Sequence, residues 1–169
     1  MHKRNVFCGQ LFSCQARALP LLSGFLGLLL AGLFANMGLG QELDWARQAG
    51  GIGRHDGRDI AVDGAGNNYV IGNFSDTATF GPQESNQTIL TSAEDPDVFV
   101  AKYDNLGALI WAKRAGGTGW ENGSGIVVDG AGNSYVTGYF DGTAIFGTGE
   151  DNETVLTGKG SIFVAKYDS

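Results

Sequence analysis

The 169-residue chain is acidic, with 18 Asp and Glu against 11 Lys and Arg, and its two cysteines are Cys8 and Cys14. That balance excludes the basic stripe a nucleic-acid-binding surface needs, and the place of both cysteines ahead of residue 41 excludes a disulfide-held fold for everything after it. At this length the chain holds at most one ordinary domain once a targeting segment is set aside.

Residues 1–40 read as that segment. Lys3, Arg4 and Arg17 give a positive flank, and Ala18 to Gly40 carry no charge and are rich in Leu, Gly, Ala and Phe, the pattern of an apolar helical secretory signal. Gly38 and Gly40 suit a peptidase cutting before Gln41, with Ala35 marking an earlier site. The rival is an uncleaved anchor, since an apolar stretch of about 20 residues spans a bilayer; Pro20 and the glycines count against it. Removing residues 1–40 leaves eight basic residues facing eighteen acidic ones, an acidity that serves solubility outside the cell. The expected location is secreted or at the cell surface, with membrane contact only through an uncleaved signal.

From Trp45 the sequence is written twice. WARQAGGIGRHDGRDIAVDGAGNNYVIGNFSDTATFG lies over WAKRAGGTGWENGSGIVVDGAGNSYVTGYFDGTAIFG from Trp111 without a gap, at an offset of 66 residues and with more than half the positions identical. After a two-residue shortening near Gly158, DVFVAKYD ending at Asp104 meets SIFVAKYD ending at Asp168. A repeat of this kind decides the fold before any site is considered. The expected division is a signal over 1–40, a first repeat with a preceding closing strand over 41–110, and a second repeat over 111–169.

Within each copy the apolar residues alternate at period two in short runs bounded by Gly, Asn and Asp, which predicts strands and hairpins. No amphipathic helix follows Gln41. In copy two the first strand is expected over about 125–129 and the second over about 134–140, joined by DGAGN, whose glycines tolerate positive φ and whose Asp and Asn bond their own backbone. The same turn falls at Asp63 to Asn67 in copy one. A third strand begins at Val98 and at Ile162. A fourth, ALIWAKRA, follows the turn Asp104 to Gly107. Phe99, Ala101 and Tyr103 point one way and Val98 and Val100 the other, so both faces of the sheet need covering, as when small sheets stack around an axis. Between the second and third strands each copy carries an insert, residues 75–93 and 141–158, read as an extra short hairpin. The copies differ most at its tip, Pro82 to Ser85 against Thr148 to Asp151, where a repeated frame would carry binding differences.

The combination WAKRAGG, GIVVDGAGNSYVTGYF and VFVAKYD resembles the bacterial β-propeller repeat called the SBBP repeat, over nearly all of Trp45 to Asp168. The resemblance implies an all-β fold of two four-stranded antiparallel propeller-type blades in an exported or surface protein, generally without an assigned activity. Two blades do not close a ring, since propellers have four to eight. The strand motif at Trp45 would complete a final blade beside Tyr167. Three arrangements are therefore expected as alternatives: a fragment of a longer propeller, a ring closed by two to four chains, and an open two-blade array, which leaves edges and apolar faces bare.

The candidate sites have structural readings beside the chemical ones. GGIGRHDG at Gly50 and GGTGWENG at Gly116 look like phosphate loops but precede a strand where a dinucleotide site needs a helix. Asp63 with Asn67 and Asp129 with Asn133 lack the alternating acids and terminal Glu of calcium loops. Glu150, Asp151 and Glu153 form an acidic tip that Glu84, Ser85 and Gln87 replace in copy one. His55 stands where copy two has Glu121, without the partner and pocket a general base needs. The aromatic pairs Trp45/Trp111, Tyr69/Tyr135, Phe74/Phe140 and Phe80/Phe146 read as packing between blades. Trp120, facing Arg54 in copy one, is the aromatic singled out for binding. Sequons at Asn73, Asn86, Asn122 and Asn152 matter only in a eukaryotic secretory pathway, which a bacterial family implies against. No catalytic, cofactor or metal residue is assigned. The expectation is an exported, non-enzymatic binding or structural module whose partner is a surface protein or a glycan. The alternative is a fragment of a lyase-like propeller enzyme with its catalytic residues in other blades.

Overall fold

The computed structural model describes residues 41–94 and 96–169; the expected signal segment over 1–40, with Cys8 and Cys14, lies outside them. The period-two alternation produces ten strands and, among the described residues, no helix. Copy one supplies β1 (Gly50–Ile52), β2 (His55–Val62), β3 (Asn68–Phe74), β4 (Thr77–Phe80), β5 (Thr88–Thr91) and β6 (Asp97–Tyr103). It is followed by β7 (Leu109–Gly117), and copy two by β8 (Trp120–Val128), β9 (Ser134–Phe146) and β10 (Thr154–Tyr167).

All pairings are antiparallel. β2, β3, β6 and β7 form a four-stranded meander, which is copy one as the sequence foretells. Its insert forms the expected hairpin, β4 with β5, and β1 adds to it to make a separate three-stranded sheet. In copy two the insert is fused to the main strands. β9 runs without a break through the stretch where copy one divides into β3 and β4, and β10 covers the stretch of β5 and β6. The two copies bend at the same repeat position, where Asp76 has φ of 60° and Gly142 has φ of 90°. Both need the left-handed region that glycine enters without strain.

Two expectations are corrected. Copy two has three strands, β8, β9 and β10, where four were expected; the last three residues of β7, Ala115 to Gly117, cross over to pair with Phe146 to Ala144 of β9. This is the counterpart of the β1 pairing with β4. It joins the copies into one curled seven-stranded sheet. The reason is that β7 serves both copies at once, as the fourth strand of copy one along most of its length and, at Ala115 to Gly117, as the entry to copy two. The second correction concerns Trp45. Residues 42–49 form no strand. Trp45 instead packs over Gly107, and Arg47 Nε donates to the Gly107 carbonyl at 2.8 Å and Nη2 to Leu106 at 3.2 Å, so this segment is held on copy one's own β6–β7 turn. Among the described residues β9 is the only strand paired with β10.

The larger core lies between the copies. Tyr69, Ile71, Val98 and Val100 of copy one meet Ile126, Val136, Phe140 and Phe163 of copy two. Phe74, Phe80, Phe99 and Tyr103 pack on the opposite face of copy one. The repeat is visible in side-chain detail: Phe80 and Phe99 stand with ring centres 5.0 Å apart at 55°, and Phe146 and Phe163 do the same. Burial of rings of this size dominates such a core.

Candidate functional site

The acidic turns are occupied by their own chain. Asp63 Oδ1 accepts from the amides of Ala65 and Asn67, and its Oδ2 accepts from Asn67 Nδ2 and lies 3.2 Å from the Tyr69 hydroxyl, whose proton turns to the Gly132 carbonyl. Asp129 makes the same bonds with Ala131 and Asn133 and takes a fourth from the Tyr135 hydroxyl. Hydrogen bonding to Asn133 holds the Asp129 carboxyl down at about 2, and the matching bonds to Asn67 lower Asp63. Both oxygens of each carboxylate thus serve to hold the carboxylate's own turn. At the acidic tip, Glu150 pairs with Lys113 and Glu153 Oε2 accepts from the Gly149 amide at 2.8 Å.

Each glycine-rich stretch leads from a strand into another strand, β1 into β2 and β7 into β8, so no helix N-terminus faces it. His55 and Glu121, which share a repeat position, perform the same local task. His55 Nε2 accepts from Gly51 N at 2.9 Å, and Glu121 Oε2 accepts from Gly117 N at 3.3 Å. His55 is thereby an internal cap of its loop.

The joint between the copies carries polar groups that the repeat pattern hides. Asp59 Oδ2 accepts from Ile126 N and Asn73 Oδ1 accepts from Gly123 N, both at 2.9 Å, while the Tyr69 hydroxyl donates to Gly132 at 2.8 Å. Asn73 is thus a buried clamp, and its sequon lies within the joint. Asn86 donates through Nδ2 to the Leu109 carbonyl. Beside the clamps, Asp97 and Glu121 are both buried, and Arg114 Nε lies 2.6 Å from Asp97 Oδ2. Asp97 Oδ1 and Glu121 Oε1 find no donor among the surrounding groups, so one proton held between the two carboxyls answers both. Burial, reinforced by the hydrogen bond to Asp97, pushes Glu121 up to about 8; burial raises Asp97 as well, against the lowering effect of Arg114. Glu121 therefore holds the proton and Asp97 the charge that meets Arg114.

Sequence reasoning passed over Asp59, Asn73, Asp97 and Arg114. The signal that finds them is their departure from the repeat, since copy two has Gly125, Tyr139 and Ser161 in the first three places and copy one has Gln48 in the last. Residues that hold one copy to the other have no reason to recur in both.

At the edge of the joint, Trp120 is 51% exposed and leans on Tyr139, ring centres 6.4 Å apart at 59°. It borders a small cavity of about 150 Å³ with Arg54, Arg58, Asn122 and the buried Glu121 at its edge. Asp56 ties Arg54 at 3.1 Å and Arg58 at 3.6 Å along one wall. Of the other aromatics expected to pack between blades, Tyr69, Phe140 and Phe146 lie in the core shared by the copies, and Trp111 lies between Tyr69 and Tyr167, with ring centres 6.3 and 6.0 Å away. Phe74 and Phe80 instead pack within copy one, Trp45 lies over Gly107, and Tyr135 is exposed.

Residues 44–73 match the family model described as Beta-propeller repeat, SBBP. The chain carries an SBBP β-propeller repeat. The matched stretch runs from the Trp45 segment through β2 to β3, and the same stretch recurs in copy two from Ile110 to Tyr139. In the terms of that repeat each copy is a blade. No curated protein and no solved structure matches the chain significantly.

Proposed function

We propose that this SBBP repeat protein is an exported, non-enzymatic module of propeller type that serves as a binding or structural element at the cell surface or outside the cell. The observation that carries the reading is the Trp120 cleft. An exposed Trp and Tyr pair beside two arginines and Asn122 offers a flat apolar face with directional donors at its rim. Aromatic and Arg side chains set in this way are typical anchors for protein surfaces, and an aromatic face with polar rim groups equally suits the apolar face of a sugar ring. The carboxylates nearby are committed to Arg54, Arg58, Arg114 and the Gly117 amide, which leaves recognition as the chemistry the cleft supports.

Panels of glycans and of bacterial surface proteins, probed with the full chain and with Trp120→Ala, test this reading. The expectation is retention of a glycan or surface protein by the parent chain and a loss of more than about tenfold in affinity on truncating the indole. An empty panel, or turnover of a saccharide by the purified chain, would overturn it. Cell fractionation tests export, and retention in the cytoplasm would count against it.

A further inference from the structure

The two blades stand at equivalent positions of one repeat, yet their burial differs in a pattern that marks a missing neighbour. On the face of blade one that meets blade two, Val98 and Val100 are 1% and 0% exposed. Their counterparts in blade two, Ile162 and Val164, are 80% and 73% exposed, and Tyr135 is uncovered where Tyr69 is sealed. The opposite side shows the complement. Ile126 of blade two is 5% exposed because it presses on blade one, whereas its counterpart Ile60 on β2 is 58% exposed. The molecule therefore displays both halves of its own internal joint, one at each end.

A glycine makes the same point sterically. A Cβ on Gly123 would stand 2.7 Å from Ile71 and 3.3 Å from Val98, so close contact of the blades requires glycine there. Its counterpart Gly57 has open space around its Cβ position. Both glycines stand at a β-bulge, but only Gly123 is covered; a second Ile162 face laid against Gly57 would fill its open space in the same way.

We infer that a second molecule of this chain docks head to tail, the Tyr135, Ile162 and Val164 face of one molecule seating on the Gly57 and Ile60 face of the next. The contact reproduces the internal joint, including the tyrosine lock, since Tyr135 is placed to reach the Gly66 carbonyl of its neighbour as Tyr69 reaches Gly132. It lacks the Asp59 and Asn73 clamps, whose places in blade two are Gly125 and Tyr139. The intermolecular joint is accordingly weaker than the internal one and depends on concentration. A head-to-tail contact of this type generates a closed ring when its rotation closes, and two to four copies of these two blades supply the usual four to eight. This goes beyond the binding role proposed above; a docked neighbour would approach Tyr139, the partner of Trp120 in that cleft, yet the two readings are separable because sedimentation without ligand reads self-association alone.

Sedimentation equilibrium of the full chain over a concentration series is the test. The parent chain is expected to form a discrete species of two to four molecules in exchange with the single chain. Gly57→Leu, which fills open space in the single chain, is expected to keep the parent's circular dichroism and melting temperature while weakening association by more than about tenfold. Ile162→Lys with Val164→Lys, on the other end, is expected to do the same. Mixed together, the two variants retain one intact pair of faces between them and should form a species of two chains and nothing larger. A parent chain that stays single at every concentration overturns the inference, as does a Gly57→Leu protein that associates like the parent. A different protein captured on the Ile162 face in place of a second copy, and lost in the double lysine variant, overturns it as well.

Discussion

At the scale of single residues, the repeat conserves backbone tasks more strictly than side-chain identities. Position 76 and position 142 both take positive φ, one as Asp and one as Gly. His55 and Glu121 cap the same amide with an imidazole nitrogen and a carboxylate oxygen. The Asp turns show the opposite case, where four hydrogen bonds to a single carboxylate leave no substitute. Because those bonds hold Asp129 at about 2, against an ordinary 3.8, its contribution is complete above the ordinary value and is lost as pH falls through about 2. Asp129→Asn should therefore lower the melting temperature at neutral pH and narrow the gap between the neutral and the most acidic melting temperatures. Thermal melts of both proteins over this range check it, and an unchanged gap would refute the turn's electrostatic role.

At the scale of strands and their joints, the acid pair gives the reverse pH dependence. Glu121 titrates at about 8 in the fold against an ordinary 4.5, so its stabilising contribution is whole below the ordinary value and disappears as pH rises through about 8. Glu121→Gln carries the donor permanently, and its melting temperature should stay level from pH ~5 to ~9 while that of the parent falls by several degrees. A parallel fall in both proteins would show that the shared proton has no bearing on the joint. The strands themselves were legible in the sequence because alternation and the Asp-Gly-Ala-Gly-Asn turn are local signals. The fusion of strands into β9 and β10 was not, since it falls at Ser75 and Asp76 against Asp141 and Gly142 for β9, and at the two-residue shortening near Gly158 for β10, differences too small to separate a corner from a bend. Nor was the joint: Asp97, Arg114 and Glu121 meet only after folding, and nothing in their spacing announces it. The Trp120 cleft was half legible. Its lack of a partner in copy one marked the indole, but Tyr139, Arg54 and Arg58 came to it through the stacking of the blades.

At the scale of the whole molecule, the larger core is shared between the blades, so neither is expected to melt by itself. Equivalent positions then differ in weight according to which side of the molecule they occupy. Val100→Ala removes methyls from the joint and should cost roughly 1–3 kcal/mol, whereas Val164→Ala at the matching exposed position should stay within about 0.5 kcal/mol for the single chain. Urea titrations of dilute protein compare the two directly, and equal losses would contradict the burial contrast. The β9–β10 hairpin has one more consequence, for mechanical load. β10 is an edge strand whose twelve aligned pairs with β9 lie in one hairpin, with Tyr167 opposite Ser134 at the open end. Tension applied beyond Tyr167 would load those pairs one at a time, like a zip. β7 is flanked by β6 along most of its length and by β9 at its end, so it must shear many bonds together. A molecule anchored through its last strand would therefore begin to yield at β10, and once Phe163 is drawn out of the shared core the rest of the fold would follow.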